Sequence, residues 1–76
     1  MLNTEDKEVL TLLGRKLKMY RLSNNLSQEK FAELTGLDRT YISSLERGLR
    51  NPSFLIIKKI SFVLKISPNE LFMEIE

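Results

Sequence analysis

Arg39, Thr40, Ser43, Ser44 and Arg47 fall on one side of a helix, and Ile42 and Leu45 fall on the other. Those polar side chains suit recognition rather than bond-making. An arginine in the first turn of such a helix can hold guanine O6 and N7 with two parallel hydrogen bonds; a threonine can donate to a base or a phosphate, or offer its methyl to thymine. Gln28 opens an earlier helical run, where outward-pointing backbone N–H groups favour an anion. Catalysis has little to work with. The chain has no His and no Cys, so an imidazole base, a thiolate and the common zinc ligands are all excluded. Glu29 and Glu33 stand one turn apart, more often an exposed pair than a metal site. The expectation is no enzyme, no metal and no cofactor.

The polar side is useful only if something holds the other. Ser27 and Asp38 each precede a helix-forming run and are residue types that cap orphan N–H groups. Gly36 lies between the runs, where a helix ending in a left-handed residue takes a glycine. Phe31, Ala32 and Leu34 form the apolar stripe of the first run, and Tyr41, Ile42 and Leu45 that of the second. Small Ala32 lets the two helices approach closely. Residues 28–47 thus read as a helix-turn-helix, whose second helix enters the major groove by its N-terminal end.

At Gln28, Ala32, Gly36, Ile42, Leu45 and Glu46-Arg47-Gly48 the stretch resembles the DNA-binding domain of the phage repressor/Cro-like family. Leu37-Asp38-Arg39-Thr40-Tyr41-Ile42-Ser43 and Glu46 to Asn51 resemble more closely the controller proteins of restriction–modification systems. The resemblance implies an all-α fold of five helices. It also implies a homodimer on a pseudo-palindromic double-stranded operator, activating or repressing at its own gene, with RNA polymerase as a further partner. It gives Gln28 a phosphate contact. Position on the second helix offers Arg39, Thr40, Ser43 and Ser44 to bases and Arg47 to the backbone. Tyr41 either packs its ring or sets its hydroxyl on a phosphate, and Arg50 and Asn51 of the following loop contact the backbone or reach a base. The resemblance pairs Arg21 with Glu46 as a structural ion pair. A phage-type repressor or antitoxin regulator is the alternative within DNA binders. A protein-interaction module on the same fold is the alternative outside them, and it would not need Arg39, Thr40 and Ser44 free on one face.

The rest of the chain reads as support. Residues 1–76 make one domain, because a chain this short buries only roughly 60% of its unfolded surface and has no room for a second core. The first helix runs from about Glu5 to Leu22, capped by Asn3 or Thr4, with Val9, Leu10, Leu13 and Leu17 inward. Gly14 within it is either a weak point or a place of close packing. The net charge of +2 is unevenly spread: residues 15–50 hold eight basic groups against four acidic, over the helix-turn-helix. Helix four, about Phe54 to Lys65, has two apolar stripes, Ile56, Ile57, Ile60, Val63 and Leu64 on one side and Leu55, Phe62 and Ile66 on another. A short fifth helix, Pro68 to about Ile75, follows a capping box at Ser67 and Glu70. Leu55, Phe62 and Ile66 with Leu71, Phe72 and Ile75 are expected to form a twofold seam across residues 54–75. No apolar run approaches a membrane span, and the N-terminal residues are polar and acidic, so a cytoplasmic protein is expected.

Overall fold

The computed structural model describes residues 3–74, which form five helices and, among those residues, no strand. In chain order these are α1 (Thr4–Ser23), α2 (Gln28–Thr35), α3 (Arg39–Glu46), α4 (Phe54–Leu64) and α5 (Pro68–Phe72). The boundaries follow from side-chain chemistry. Asn3 Oδ1 accepts from the Asp6 N–H at 2.9 Å, and the Asp6 carboxylate accepts in return from the Asn3 N–H at 3.4 Å. Ser27 Oγ caps α2 by accepting from the Lys30 N–H at 3.0 Å, and Ser53 Oγ caps α4 through the Ile56 N–H at 3.3 Å. At α5 the Ser67 N–H donates to Glu70 Oε2 at 2.8 Å. Gly36 closes α2 with φ +75°, its N–H on the Ala32 carbonyl. Asp38 departs from expectation: its backbone is extended as an N-cap requires, but its carboxylate makes no capping hydrogen bond.

Leu13 and Leu17 of α1, Phe31 and Ala32 of α2, Ile42 and Leu45 of α3, Ile57, Ile60 and Leu64 of α4, and Leu71 of α5 form one buried cluster. Truncating one such leucine or isoleucine to alanine costs about 2–5 kcal/mol, because transfer and cavity terms add. α3 lies between α1 and α2; α4 packs on α2 along one side and on α5 along another. Ser61 sits in this core as the one hydroxyl of α4, donating to the Ile57 carbonyl at 2.8 Å.

Three expectations need correcting. Leu34 is exposed, since α2 turns Phe31, Ala32 and Thr35 inward instead. Leu71 has no exposed surface at all: it plugs the core of its own chain and is not available to a twofold seam. α5 ends at Phe72, short of Ile75, and Ile75 lies outside the described residues.

Candidate nucleic-acid interface

α3 is fastened from behind at four points. Its inward residues Ile42 and Leu45 are sealed in the core. Glu46, at its last turn, accepts from Arg21 of α1 through a two-pronged contact, Nε to Oε2 at 2.6 Å and Nη2 to Oε1 at 3.0 Å. Both side chains are nearly closed to solvent, 6% and 4% exposed. The third prong of the guanidinium, Nη1, donates to the Leu26 carbonyl at 2.6 Å, which ties the α1–α2 turn into the same knot. The planar fork of arginine matches a carboxylate in this way; a lysine could not.

The other two fastenings are glycines. A Cβ built on Gly14 would stand 2.5 Å from the Glu46 carbonyl oxygen and 2.6 Å from that of Leu45. Gly14 is therefore the place of close packing, where α1 touches the C-terminal end of α3 backbone to backbone. Gly48, just past α3, answers from the other side: its φ is +77°, and a Cβ there would lie 2.8 Å from Thr11 Cα. Sequence reading missed the role of Gly48. Its position one residue beyond the cap was the available signal, but a cap alone does not reveal the neighbour that excludes a side chain.

The outward side of α3 is open. Arg39, Thr40 and Arg47 are exposed, and Ser43 and Ser44 are half-buried on the same face. Arg47 Nε donates to the Ser43 carbonyl at 3.3 Å, so its side chain lies back along the helix. Tyr41 is half-buried, and the Arg50 guanidinium sits over its ring, 5.5 Å from the centroid. That contact brings the loop after α3 back against α3. Arg50 and Asn51 are both exposed in that loop.

Gln28 is placed less simply than a phosphate ligand would be. Its Nε2 donates to Glu46 Oε1 at 3.1 Å, and its Oε1 accepts from Arg39 Nη1 at 3.4 Å. An arginine only donates and a carboxylate only accepts, so the amide has one orientation available. The result is a chain of hydrogen bonds from Arg21 through Glu46 and Gln28 to Arg39. One Gln28 amide hydrogen remains for a phosphate. Every buried side-chain polar atom among the described residues has a partner, so the knot carries no uncompensated group. No group of three or more potential ligands that could hold a metal occurs among those residues, and no helix of the described chain is long and apolar enough to cross a membrane.

The arrangement is a short helix anchored on its apolar side with its polar side free, and known proteins share it. A family model described as Helix-turn-helix (HTH_3) matches residues 17–71. The chain belongs to that family. Among its relatives, control protein C.MunI of a Mycoplasma species is 52% identical over 64 residues, spanning 83% of this chain and 86% of its own length. The crystal structure of the restriction-modification controller protein C.AhdI from Aeromonas hydrophila superposes with a TM-score of 0.81 at 46% identity, over 83% of this chain and 96% of that one. SinR, described as the master regulator for biofilm formation and crystallised in complex with DNA, gives a TM-score of 0.76 at 38% identity, over 79% of this chain and 97% of that one.

The candidate seam residues that the structure describes are scattered over this helix-turn-helix domain, with Leu71 in its core and the other four at its surface. Phe72 lines a cleft with Val9, Leu10, Asn51, Pro52, Phe54 and Ile57; the lining holds no charged residue, and the Lys58 ammonium sits over the Phe54 ring, 6.0 Å from its centroid. Phe62 and Ile66 line another groove, on the α2 side of α4, with Leu34, Val63 and Lys65. Leu55 is 69% exposed on the outer face of α4, one turn from Lys59. The five seam residues among the described residues therefore do not form one surface.

Proposed function

We infer that this chain is a sequence-specific DNA-binding transcriptional regulator of the restriction–modification controller kind. The observation that carries the reading is the division of α3: Ile42, Leu45 and Glu46 are buried, while Arg39 and Thr40 stand exposed at the N-terminal end that would enter a major groove. The relatives named as control proteins, and the SinR structure with DNA, support it. Arg39, Thr40, Ser43 and Ser44 face base edges; Gln28, Tyr41, Arg47, Arg50 and Asn51 reach the sugar–phosphate backbone. The active form is a homodimer placing two reading helices about 34 Å apart on a pseudo-palindrome. Its seam is the cleft of Phe54 and Phe72, because a twofold contact sets each residue near the axis against its own copy and a lining that is apolar but for Asn51 suits that pairing. Regulation at the promoter then includes contact with RNA polymerase, and the setting is the cytoplasm.

The deciding experiment is selection of bound sequences from random duplexes, followed by titration at several salt concentrations. The expected outcome is a pseudo-palindromic consensus whose affinity falls steeply with salt, at a slope of about −0.9 per phosphate neutralised. Recovery of no consensus, with affinity indifferent to salt, would overturn the reading.

A further inference from the structure

We propose that the groove between α2 and α4 is a docking site for an acidic amphipathic helix of another protein. Phe62 is 85% exposed, the most open of the large apolar side chains among the described residues, and Leu34 beside it is also exposed. Val63 and Ile66 complete an apolar floor on the same side of α4. A contiguous exposed apolar patch rimmed by charge marks a surface that another molecule covers.

The rim says what the cover is. Lys65 borders the groove at the Ile66 end, and Lys58 and Lys59 border its continuation past Phe62 and Val63. No acidic residue lines either part. Neither Lys59 nor Lys65 has an ion-pair partner among the described residues. An apolar floor with a rim of one sign selects a helix that carries apolar residues at i, i+3/i+4 and i+7, flanked by carboxylates. A second copy of this chain is a poor occupant: twofold pairing here would bring the lysines of both copies together with no carboxylate lining the groove to meet them. A duplex is poorer still, since it would satisfy the lysines while holding Phe62 and Leu34 against phosphates. The Phe54–Phe72 cleft proposed above as the twofold seam shares no lining residue with this groove, which leaves the groove to a different molecule.

The test is selection from a displayed library of amphipathic helical peptides against three full-length chains: wild type, Phe62→Ser, and the double variant Lys59→Glu/Lys65→Glu. Wild type is expected to enrich net-acidic sequences. A selected peptide should lose at least tenfold in affinity for Phe62→Ser by fluorescence anisotropy, with the melting temperature of that variant unchanged because the ring is exposed. The double variant should enrich basic sequences instead, and it carries the test by itself if Phe62→Ser folds poorly. The proposal fails if nothing is enriched, if the winners show no charge bias, or if both variants select as wild type does. It fails equally if Phe62→Ser halves the solution mass, which would make a second copy the occupant. Loss of DNA affinity in the lysine variant, with peptide selection intact, would assign those charges to phosphates and also end it.

Discussion

α3 has two sides, and they are built by opposite rules. The side toward α1 has no clearance: two glycines, because a Cβ at either would overlap backbone, and an arginine–glutamate fork closed to water. The side away from α1 carries polar side chains with few partners inside the chain. One side fixes where the helix lies and the other is left to meet a ligand. The lesson is that stability and recognition should separate cleanly by substitution, although both sides belong to a helix of only eight residues.

The sharpest way to break this division is Arg21→Ala. It leaves Glu46 as a buried carboxylate with only the Gln28 amide for company, and should cost about 3–5 kcal/mol, read as a shift in urea midpoint. Arg21→Lys should recover only part of that loss, since an ammonium cannot reproduce the fork. Gly14→Ala comes next. Overpacking of this kind costs about 1–3 kcal/mol, against which the better helix propensity of alanine returns up to about 1 kcal/mol. A Gly14→Ala chain as stable as wild type would mean the α1–α3 contact has slack. On the open side, Arg39→Ala should leave the melting temperature where it is. It should remove about 1–3 kcal/mol of discrimination at one base pair in each half-site, measured by competition between cognate and singly substituted duplexes. Unchanged discrimination would show that Arg39 does not read a base. The smallest effects come at the helix starts: Ser27→Ala should cost about 0.5–2 kcal/mol through its lost cap, whereas Asp38→Ala should cost less, its carboxylate making no such bond.

Gln28 blurs the boundary and so sharpens it. Bonded to Glu46 on one side and Arg39 on the other, it belongs to neither region alone. Gln28→Ala should lower affinity for every duplex through the lost phosphate contact. It should also weaken preference at the base pair assigned to Arg39, because the guanidinium loses its internal acceptor. A purely uniform loss across sequences would show that the Arg39 contact plays no part in reading.

Much of this was legible before any coordinates. Ser27, Gly36 and Ser67 punctuate the chain because capping and left-handed closure are local chemistry, and the helices begin and end where those residues stand. The inward set Phe31, Ala32, Ile42 and Leu45 followed from period alone. What was not legible depends on contacts between distant segments. Leu71 and Phe72 are adjacent apolar residues in a helix of five, too short for periodicity to say which one faces the core. Leu34 satisfied the stripe of α2 but lies over the edge of the core, beside the exposed Phe62. The bonds of Gln28 to Arg39 and Glu46 cross between helices, and no local pattern encodes them. Arg21 and Glu46 were paired by family resemblance, and the structure supplies what the resemblance did not: the Leu26 carbonyl as the third acceptor.

The backbone seam at Gly14 and Gly48 has a consequence for how such a domain changes over time. Because main chain meets main chain there, the backbone itself sets the tilt of α3 against α1, and Thr40, Ser43 and Ser44 take no part in that contact. Under the base contacts proposed above, Thr40, Ser43 and Ser44 can then be exchanged like type in a fixed press, altering the text that is recognised while the angle of approach to the duplex stays the same.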